Sequence, residues 1–229
     1  MRTFLIGGAR SGKSSLATRW AAERSHDVCC VVTATASDAE MEARISAHQH
    51  ERPAHWRVRE APLRLAAALQ EEGRTGNLLL VDCLTLWTAN CLWPPASVDR
   101  ETPVRADKPA PGIGTAPTPG IGAAPAPAVG TAPASAVGTA PAPQSAAQPE
   151  GEWQADLSGW HAERDRFLES LRATTGEVIV VSNEVGTSLV PENAAARLFR
   201  DEQGRLNQLV AAACDSVFLV TAGLALRLK

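Results

Sequence analysis

Eight consecutive residues near the start of the chain have the types and spacing needed to hold a triphosphate. They are Gly7, Gly8, Ala9, Arg10, Ser11, Gly12, Lys13 and Ser14, and they match G-x-x-x-x-G-K-[ST] at every fixed position. Glycines let the backbone approach a ligand, so that successive N–H groups can surround a phosphate. We predict that Lys13 acts as the catalytic cation on the β- and γ-phosphates and that the Ser14 hydroxyl binds Mg²⁺. A glycine-rich surface turn is the alternative.

A carboxylate further along the chain has the position expected of a second magnesium ligand. Residues 78–81 are continuously apolar and are followed by Asp82. Such a run is typical of a strand buried on both faces of a parallel sheet, and in P-loop enzymes a carboxylate at its end holds Mg²⁺ or its water. The alternative is that Asp82 caps the helix predicted from residue 84. We therefore predict Ser14 and Asp82 as metal-binding residues.

The spacing around His48 does not by itself indicate a reactive group. Met41, Ile45 and His48 lie at i, i+4 and i+7 of a helix predicted from Asp38 to residue 48, which favours a partly buried histidine. Five cysteines without metal-site spacing predict free thiols, with a redox or nucleophilic role for Cys83 or Cys91 as the alternative.

Strands alternating with helices must position these groups. Apolar runs and helical stripes predict strands at 4–6, 28–33, 78–81, 178–181, 217–221 and 224–228, and helices at 14–23, 63–72, 84–93, 153–171 and 192–213. The pattern predicts an α/β fold, a RecA-like P-loop NTPase domain with a mostly parallel sheet flanked by helices. The strand predicted at 178–181 would bring Ser182 to Gly186 to the edge of the sheet where the carboxyl ends of the strands meet. We therefore regard these residues as candidates for the functional site. Arg197, Arg200 and Arg205 are interpreted as a solvated helix face, with a substrate clamp as the alternative.

A biased segment interrupts this pattern. Residues 94–149 consist largely of Ala, Pro, Gly, Thr and Ser, with four similar octads over 111–142. We predict a disordered or polyproline-like insertion within a single domain formed by 1–93 and 150–229; an interaction tether is the alternative.

Composition limits the partners. A net charge of −3 gives no basic field for nucleic acid. No signal region opens the chain, and no apolar run approaches the ~18 residues that span a bilayer, so we expect a soluble cytoplasmic protein without membrane insertion.

Five blocks in order resemble one family, the bifunctional adenosylcobinamide kinase / adenosylcobinamide-phosphate guanylyltransferases of cobalamin biosynthesis. The blocks are Gly7 to Ser14; Arg44-Ile45-x-x-His48 with Arg52-Pro53-x-x-Trp56; Val81-Asp82-Cys83-Leu84-Thr85-Leu86-Trp87; Asn183-Glu184-Val185-Gly186 with Val190-Pro191; and Phe199-Arg200-Asp201 with Gly204 and Asn207-Gln208. The resemblance covers nearly all the chain except the octads.

This resemblance implies two reactions. Adenosylcobinamide is phosphorylated with ATP or GTP, and His48 then takes GMP from GTP and passes it to adenosylcobinamide phosphate, giving adenosylcobinamide-GDP. It also implies a homotrimer, and a guanine nucleotide site formed by Ala34, Thr35, Glu51, Arg52, Pro53, Ala54, Glu60 and Asp82. A P-loop kinase without nucleotidyl transfer and a nucleotide-switched binding module are the alternatives.

Overall fold

A computed structural model describes residues 1–35, 52–95 and 154–229, and these form one α/β sheet structure. Its strands are β1 (Arg2–Gly7), β2 (Val28–Val32), β3 (Arg57–Glu60), β4 (Leu78–Asp82), β5 (Glu177–Asn183), β6 (Ser216–Thr221) and β7 (Leu224–Arg227). Its helices are α1 (Lys13–Arg24), α2 (Leu65–Glu72), α3 (Leu84–Leu92), α4 (Leu157–Ala173) and α5 (Ala194–Ala213).

The seven strands are ordered β3-β2-β4-β5-β1-β6-β7. All neighbouring pairs are parallel except β6 and β7, which form an antiparallel hairpin. Parallel sheets need both faces covered, which explains why residues 78–81 and 178–181 are continuously apolar and buried. The predicted mostly parallel α/β sheet flanked by helices is confirmed.

Helices cover the two faces of the sheet unequally. On one face, Leu16, Ala17 and Ala21 of α1 pack against side chains such as Leu5 and Leu80. On the other face lie the buried sides of α2 to α5, where the Trp87 ring lies 5.1 Å from that of Trp160 and 5.0 Å from that of Phe167. None of the helices in the described ranges is long and apolar enough to cross a membrane.

Some boundaries differ from those predicted from sequence. The strand β3 was not predicted, because its sequence Arg-Val-Arg-Glu is short and charged, as suits a strand at the edge of a sheet. Helix α2 begins at Leu65 rather than residue 63, and α5 begins at Ala194 because the Asn193 side chain caps it. The helix predicted over 38–48, and residues 96–149 of the predicted insertion, lie outside the described residues.

A buried carboxylate between α4 and α5 is expected to stabilise the fold in a pH-dependent way. Glu202 is 3% exposed, and it accepts hydrogen bonds from the Trp160 indole at 2.8 Å and from the Arg205 guanidinium. Burial raises the pKa of Glu202, but these hydrogen bonds outweigh that effect, and the pKa lies below its ordinary value of 4.5. The ionised carboxylate therefore contributes stability above about pH 4.5, and this contribution is lost as the pH falls through the lowered pKa.

We expect Glu202→Gln to reduce the free energy of unfolding by about 2 kcal/mol at neutral pH, because Gln keeps the shape but not the charge. Urea unfolding from pH 7 to pH 3 measures this, and the difference from the unaltered protein should shrink at the acid end. Glu169→Gln, at an exposed position of α4, is the matched control and should change nothing. A difference that stays constant across the pH range would contradict the ionised state of Glu202.

Candidate functional site

Three parallel strands bring chemistry-bearing residues to one edge of the sheet. β1 ends at Gly7, where the glycine-rich segment begins, β4 ends at Asp82, and β5 lies between them. Gly7 pairs with Asn183, whereas Asp82 pairs with Val181, so β5 extends two residues beyond the end of β4. The space between the glycine-rich segment and Asp82 is therefore bordered by the end of β5.

The segment from Gly7 to Ser14, here named the phosphate loop, has a shape that requires its glycines. A Cβ on Gly7 would lie 2.2 Å from the Val220 carbonyl oxygen, closer than real contacts allow. Gly12 has φ +89°, a left-handed conformation that favours glycine. It is the N-cap residue of α1, which begins at Lys13. The Gly223 N–H donates to the Ser11 carbonyl at 2.9 Å, so the β6–β7 turn supports the loop from outside. The loop thus presents its backbone at the N-terminus of a helix, as anion binding needs.

Lys13 is held inside this loop. It is 8% exposed, and its ammonium group donates to the Gly8 carbonyl at 3.0 Å. Burial lowers the pKa of Lys13 below its ordinary value, against the opposing effects of Cys83 and Asp82. A bound anion would offset this effect of burial by favouring the charged form, so the site suits a negatively charged ligand.

Ser14 and Asp82, the two predicted metal ligands, are brought together. The Ser14 hydroxyl donates to Asp82 Oδ1 at 3.4 Å, while Arg52 Nη2 lies 3.7 Å from Asp82 Oδ2. The residue at the N-cap of α3 is Cys83, so Asp82 does not occupy the cap position considered as its alternative role. A hydroxyl and a carboxylate are oxygen ligands that suit a hard cation such as Mg²⁺.

Most of the other predicted nucleotide-site residues lie at the same edge of the sheet as Asp82. Ala34 and Thr35 follow the end of β2, and Glu60 ends β3 beside Val32, at the same edge of the sheet. Of the segment before β3, Arg52 is buried and contacts Asp82, Pro53 is half-buried and Ala54 is exposed. Glu51 and His48 lie outside the described residues, so their predicted roles stay predictions.

None of the five cysteines, all of which lie in the described ranges, forms a disulfide bond. Burial raises the pKa of Cys83 to about 11 and that of Cys30 and Cys214 to about 12. A thiol nucleophile reacts as the thiolate, which these raised pKa values disfavour near neutral pH. The structure therefore favours the predicted free thiols over a nucleophilic role for Cys83.

Sequence reasoning did not identify a buried polar cluster behind the edge, formed by Ser182, Gln203 and Asn207. The Ser182 hydroxyl donates to Asn207 Oδ1 at 2.7 Å, and Gln203 Nε2 donates to both. Asn207 Nδ2 also donates to the Asn183 carbonyl at 3.0 Å. Two amide side chains four residues apart on the inward face of α5 were the signal that could have revealed it.

The three arginines of α5 contact the protein itself. Arg200 donates to the Gly186 carbonyl at 2.6 Å, Arg197 donates to the Pro191 carbonyl at 3.0 Å, and Arg205 pairs with Glu202. Arg197 and Arg200 thereby hold the segment that follows β5. The predicted solvated face is thus partly engaged in fixing a loop beside the site.

Comparison with known proteins agrees with this arrangement. The chain is 37% identical over 229 residues to the bifunctional adenosylcobalamin biosynthesis protein CobP of Pseudomonas aeruginosa, covering 100% of this chain and 98% of that protein. It is 28% and 29% identical to the bifunctional adenosylcobalamin biosynthesis proteins CobU of Escherichia coli K12 and Salmonella typhimurium LT2, with full coverage of both chains. A family model described as cobinamide kinase / cobinamide phosphate guanyltransferase matches residues 3–118 and 142–228. With the P-loop fold and the phosphate loop in place, the chain belongs to the cobinamide kinase / cobinamide phosphate guanyltransferase family of enzymes.

Proposed function

We propose that this protein phosphorylates adenosylcobinamide with ATP or GTP and then transfers GMP from GTP, through a guanylyl-histidine at His48, to give adenosylcobinamide-GDP. The observation that carries the proposal is the convergence of Lys13, Ser14 and Asp82 at one sheet edge in a chain of this family. Such a convergence can bind a triphosphate and its cation together, as both reactions require.

In the first step, this chain's residues bind and orient the donor. The phosphate loop N–H groups surround the β- and γ-phosphates, and Lys13 exchanges the Gly8 carbonyl for a phosphate oxygen. Ser14 and Asp82 would hold Mg²⁺, which neutralises the charge that develops on the transferring phosphoryl group. The acceptor hydroxyl oxygen attacks the γ-phosphorus, the bond to the β–γ bridging oxygen breaks, and the hydroxyl proton is released to solvent.

In the second step, an imidazole nitrogen of His48 attacks the α-phosphorus of GTP. The bond to the β-phosphate oxygen breaks and pyrophosphate leaves. A phosphate oxygen of adenosylcobinamide phosphate then attacks the same phosphorus, the N–P bond breaks, and the imidazole is regenerated. A neutral imidazole, with an unperturbed pKa of ~6.5, is a competent nucleophile near neutral pH.

The remaining parts of the proposal follow family membership. Ala34, Thr35, Glu60 and residues 51–54 complete the guanine nucleotide site, and the active assembly is a homotrimer. Support for the nucleotide site comes from the positions of Ala34, Thr35 and Glu60 at the strand ends beside Asp82, and from the contact of Arg52 with Asp82. Size-exclusion chromatography with light scattering tests the trimer.

An assay with adenosylcobinamide, Mg²⁺ and GTP tests the function, with ATP in a parallel reaction. Mass spectrometry of the corrinoid should reveal the phosphate and then the GDP derivative. Accumulation of the phosphate alone with GTP would indicate a kinase without nucleotidyl transfer. Nucleotide binding without any corrinoid product would indicate a nucleotide-switched binding module. Either result would reject the proposed two-step function.

Asp82→Asn should weaken magnesium-dependent nucleotide binding. The amide keeps the shape of the carboxylate but removes the charge that would bind the cation, so we expect the Mg²⁺ concentration for half-maximal GTP binding to rise about tenfold. Titration of Mg²⁺ at fixed GTP, followed calorimetrically, measures this. Asp215→Asn, at the opposite end of the sheet beside Arg2, is the matched control and should leave the Mg²⁺ dependence unchanged. An unchanged Mg²⁺ dependence in Asp82→Asn would remove Asp82 from the metal site.

A further inference from the structure

We propose that the side-chain amide of Asn183 contacts the γ-phosphate of the bound nucleotide and the attacking hydroxyl of the acceptor. The proposal rests on the nucleotide-binding part of the proposed function and assigns a role to a residue outside the phosphate loop and Asp82. It is carried by the position of Asn183, by the fixation of its backbone and by an unsatisfied atom of its side chain.

The position of Asn183 is central to the site. It is the last residue of β5, and it lies beside Gly7 in the sheet register, one residue before the Glu184 N–H that donates to the Gly7 carbonyl at 3.0 Å. On its other side, β5 passes the end of β4 at Asp82. Among the strand ends described, Asn183 therefore stands between the start of the phosphate loop and the carboxylate proposed to hold Mg²⁺.

The side chain lies on the nucleotide-binding face of the sheet. Successive side chains of a strand alternate between faces. Ser182 lies on the face covered by α5, where it contacts Asn207 and Gln203. Asn183 consequently lies on the face covered by α1, the helix that follows the phosphate loop, as does Val181 two residues before it.

The backbone of Asn183 is fixed by side chains from two helices. Its N–H donates to the Thr85 hydroxyl at 2.8 Å, and its carbonyl accepts from Asn207 Nδ2 at 3.0 Å. Asn207 is in turn held by Ser182 and Gln203. A residue whose backbone is held in this way has a fixed Cα–Cβ direction, which helps its side chain to meet a reacting group at a defined place.

Two enclosed polar atoms near this position have no hydrogen-bond partner within the described part of the chain. They are Asn183 Oδ1 and Ser11 Oγ of the phosphate loop; a third such atom, Gln203 Oε1, belongs to the polar cluster on the other face of the sheet. A buried polar group without a partner costs about 1–3 kcal/mol in stability, so each of these atoms needs an explanation. A ligand with both acceptor and donor groups, such as a phosphate beside a hydroxyl, explains the first two together.

An asparagine amide suits this task because it offers both functions. Nδ2 can donate a hydrogen bond to a γ-phosphate oxygen, while Oδ1 can accept a hydrogen bond from the hydroxyl that attacks the γ-phosphorus. The two contacts align the hydroxyl oxygen with the γ-phosphorus, and they place no negative charge beside the triphosphate. A carboxylate here could accept from the hydroxyl but would repel the phosphate.

The test compares nucleotide affinities and turnover in Asn183→Ala and Asn183→Asp, each in the full chain. Calorimetry with Mg²⁺ and a non-hydrolysable β,γ-imido GTP analogue or GDP gives a triphosphate-to-diphosphate affinity ratio that needs no corrinoid. We expect Asn183→Ala to lose about tenfold in triphosphate affinity with GDP binding unchanged, and Asn183→Asp to lose more than Asn183→Ala. We expect the kcat for phosphorylation to fall about 100-fold.

The matched control is Asn193→Asp, which makes the same chemical change at an exposed helix cap that Asp fills equally well. Thermal unfolding of every variant checks the fold, and Asn183→Ser replaces any variant that does not fold. If Asn183 acts only structurally, the triphosphate and diphosphate affinities will change together, or Asp will be milder than Ala, and the proposal is overturned. If the unaltered protein binds the triphosphate but leaves adenosylcobinamide unchanged, the proposed function fails while the affinity ratio still decides the role of Asn183.

Discussion

Replacing Lys13 with Met is expected to lower kcat for the phosphorylation step about 10³-fold and to weaken triphosphate binding. Met keeps most of the length and packing of the lysine stem but removes the ammonium group that the phosphate loop holds at 3.0 Å from the Gly8 carbonyl. A cation aimed at the transferring phosphoryl group is worth about 10²–10⁵ in rate in comparable sites. Single-turnover phosphoryl transfer and calorimetric GTP binding measure the two effects.

The lowered pKa of Lys13 adds a pH signature to this prediction. Because the free protein disfavours the charged form and a bound phosphate favours it, nucleotide binding should take up a proton at alkaline pH, and affinity should fall as the pH rises through the lowered pKa. Lys13→Met should abolish that proton uptake. Arg19→Met, on the exposed side of α1, is the control and should retain it. Normal turnover in Lys13→Met would contradict the assigned role of the loop.

His48→Asn is expected to abolish GMP transfer while leaving phosphorylation of adenosylcobinamide intact. Removing a covalent nucleophile commonly costs a factor of about 10⁴–10⁶, because the covalent pathway is no longer available. The unaltered protein, incubated with GTP labelled at the α-phosphate, should form an acid-labile, protein-bound GMP. The variant should form none, and it should accumulate adenosylcobinamide phosphate.

His26→Asn is the matched control for the histidine experiment. His26 lies in the exposed connection before β2, at the end of the sheet opposite to the phosphate loop, and its loss should leave the adduct unchanged. A labelled adduct that persists in His48→Asn would show that another residue is the nucleophile. Peptide mapping of that adduct would then identify it.

The extent to which sequence predicted the fold depended on how strongly each element is buried. Strands such as β4 and β5 are covered on both faces, so their apolar runs gave correct positions within one or two residues. β3 contributes Arg57 and Arg59 and lies at the sheet edge, so it carries no apolar signal. Local sequence patterns also do not reveal the order of the strands in the sheet. β5 lies between β1 and β4, although it begins more than 90 residues after the end of β4.

In the candidate site, too, features formed by neighbouring residues could be predicted from the sequence, whereas contacts between distant segments could not. The phosphate loop could be identified because its glycines, lysine and serine are consecutive, and Asp82 could be identified because it ends an apolar run. The contact of Arg52 with Asp82 and the anchoring of Asn183 by Thr85 and Asn207 join segments far apart in sequence. No periodicity reports such contacts, so the structure was needed to find them.

The position of β1 inside the sheet has a consequence for the order of assembly. β1 is paired with β5 and β6, whose residues come more than 170 positions later, and the Ser11 carbonyl receives its hydrogen bond from Gly223. During synthesis, the first strand therefore leaves the ribosome long before its sheet neighbours exist. Because this contact forms only with the final hairpin, we expect that a chain truncated before residue 216 would not be protected from proteolysis by GTP.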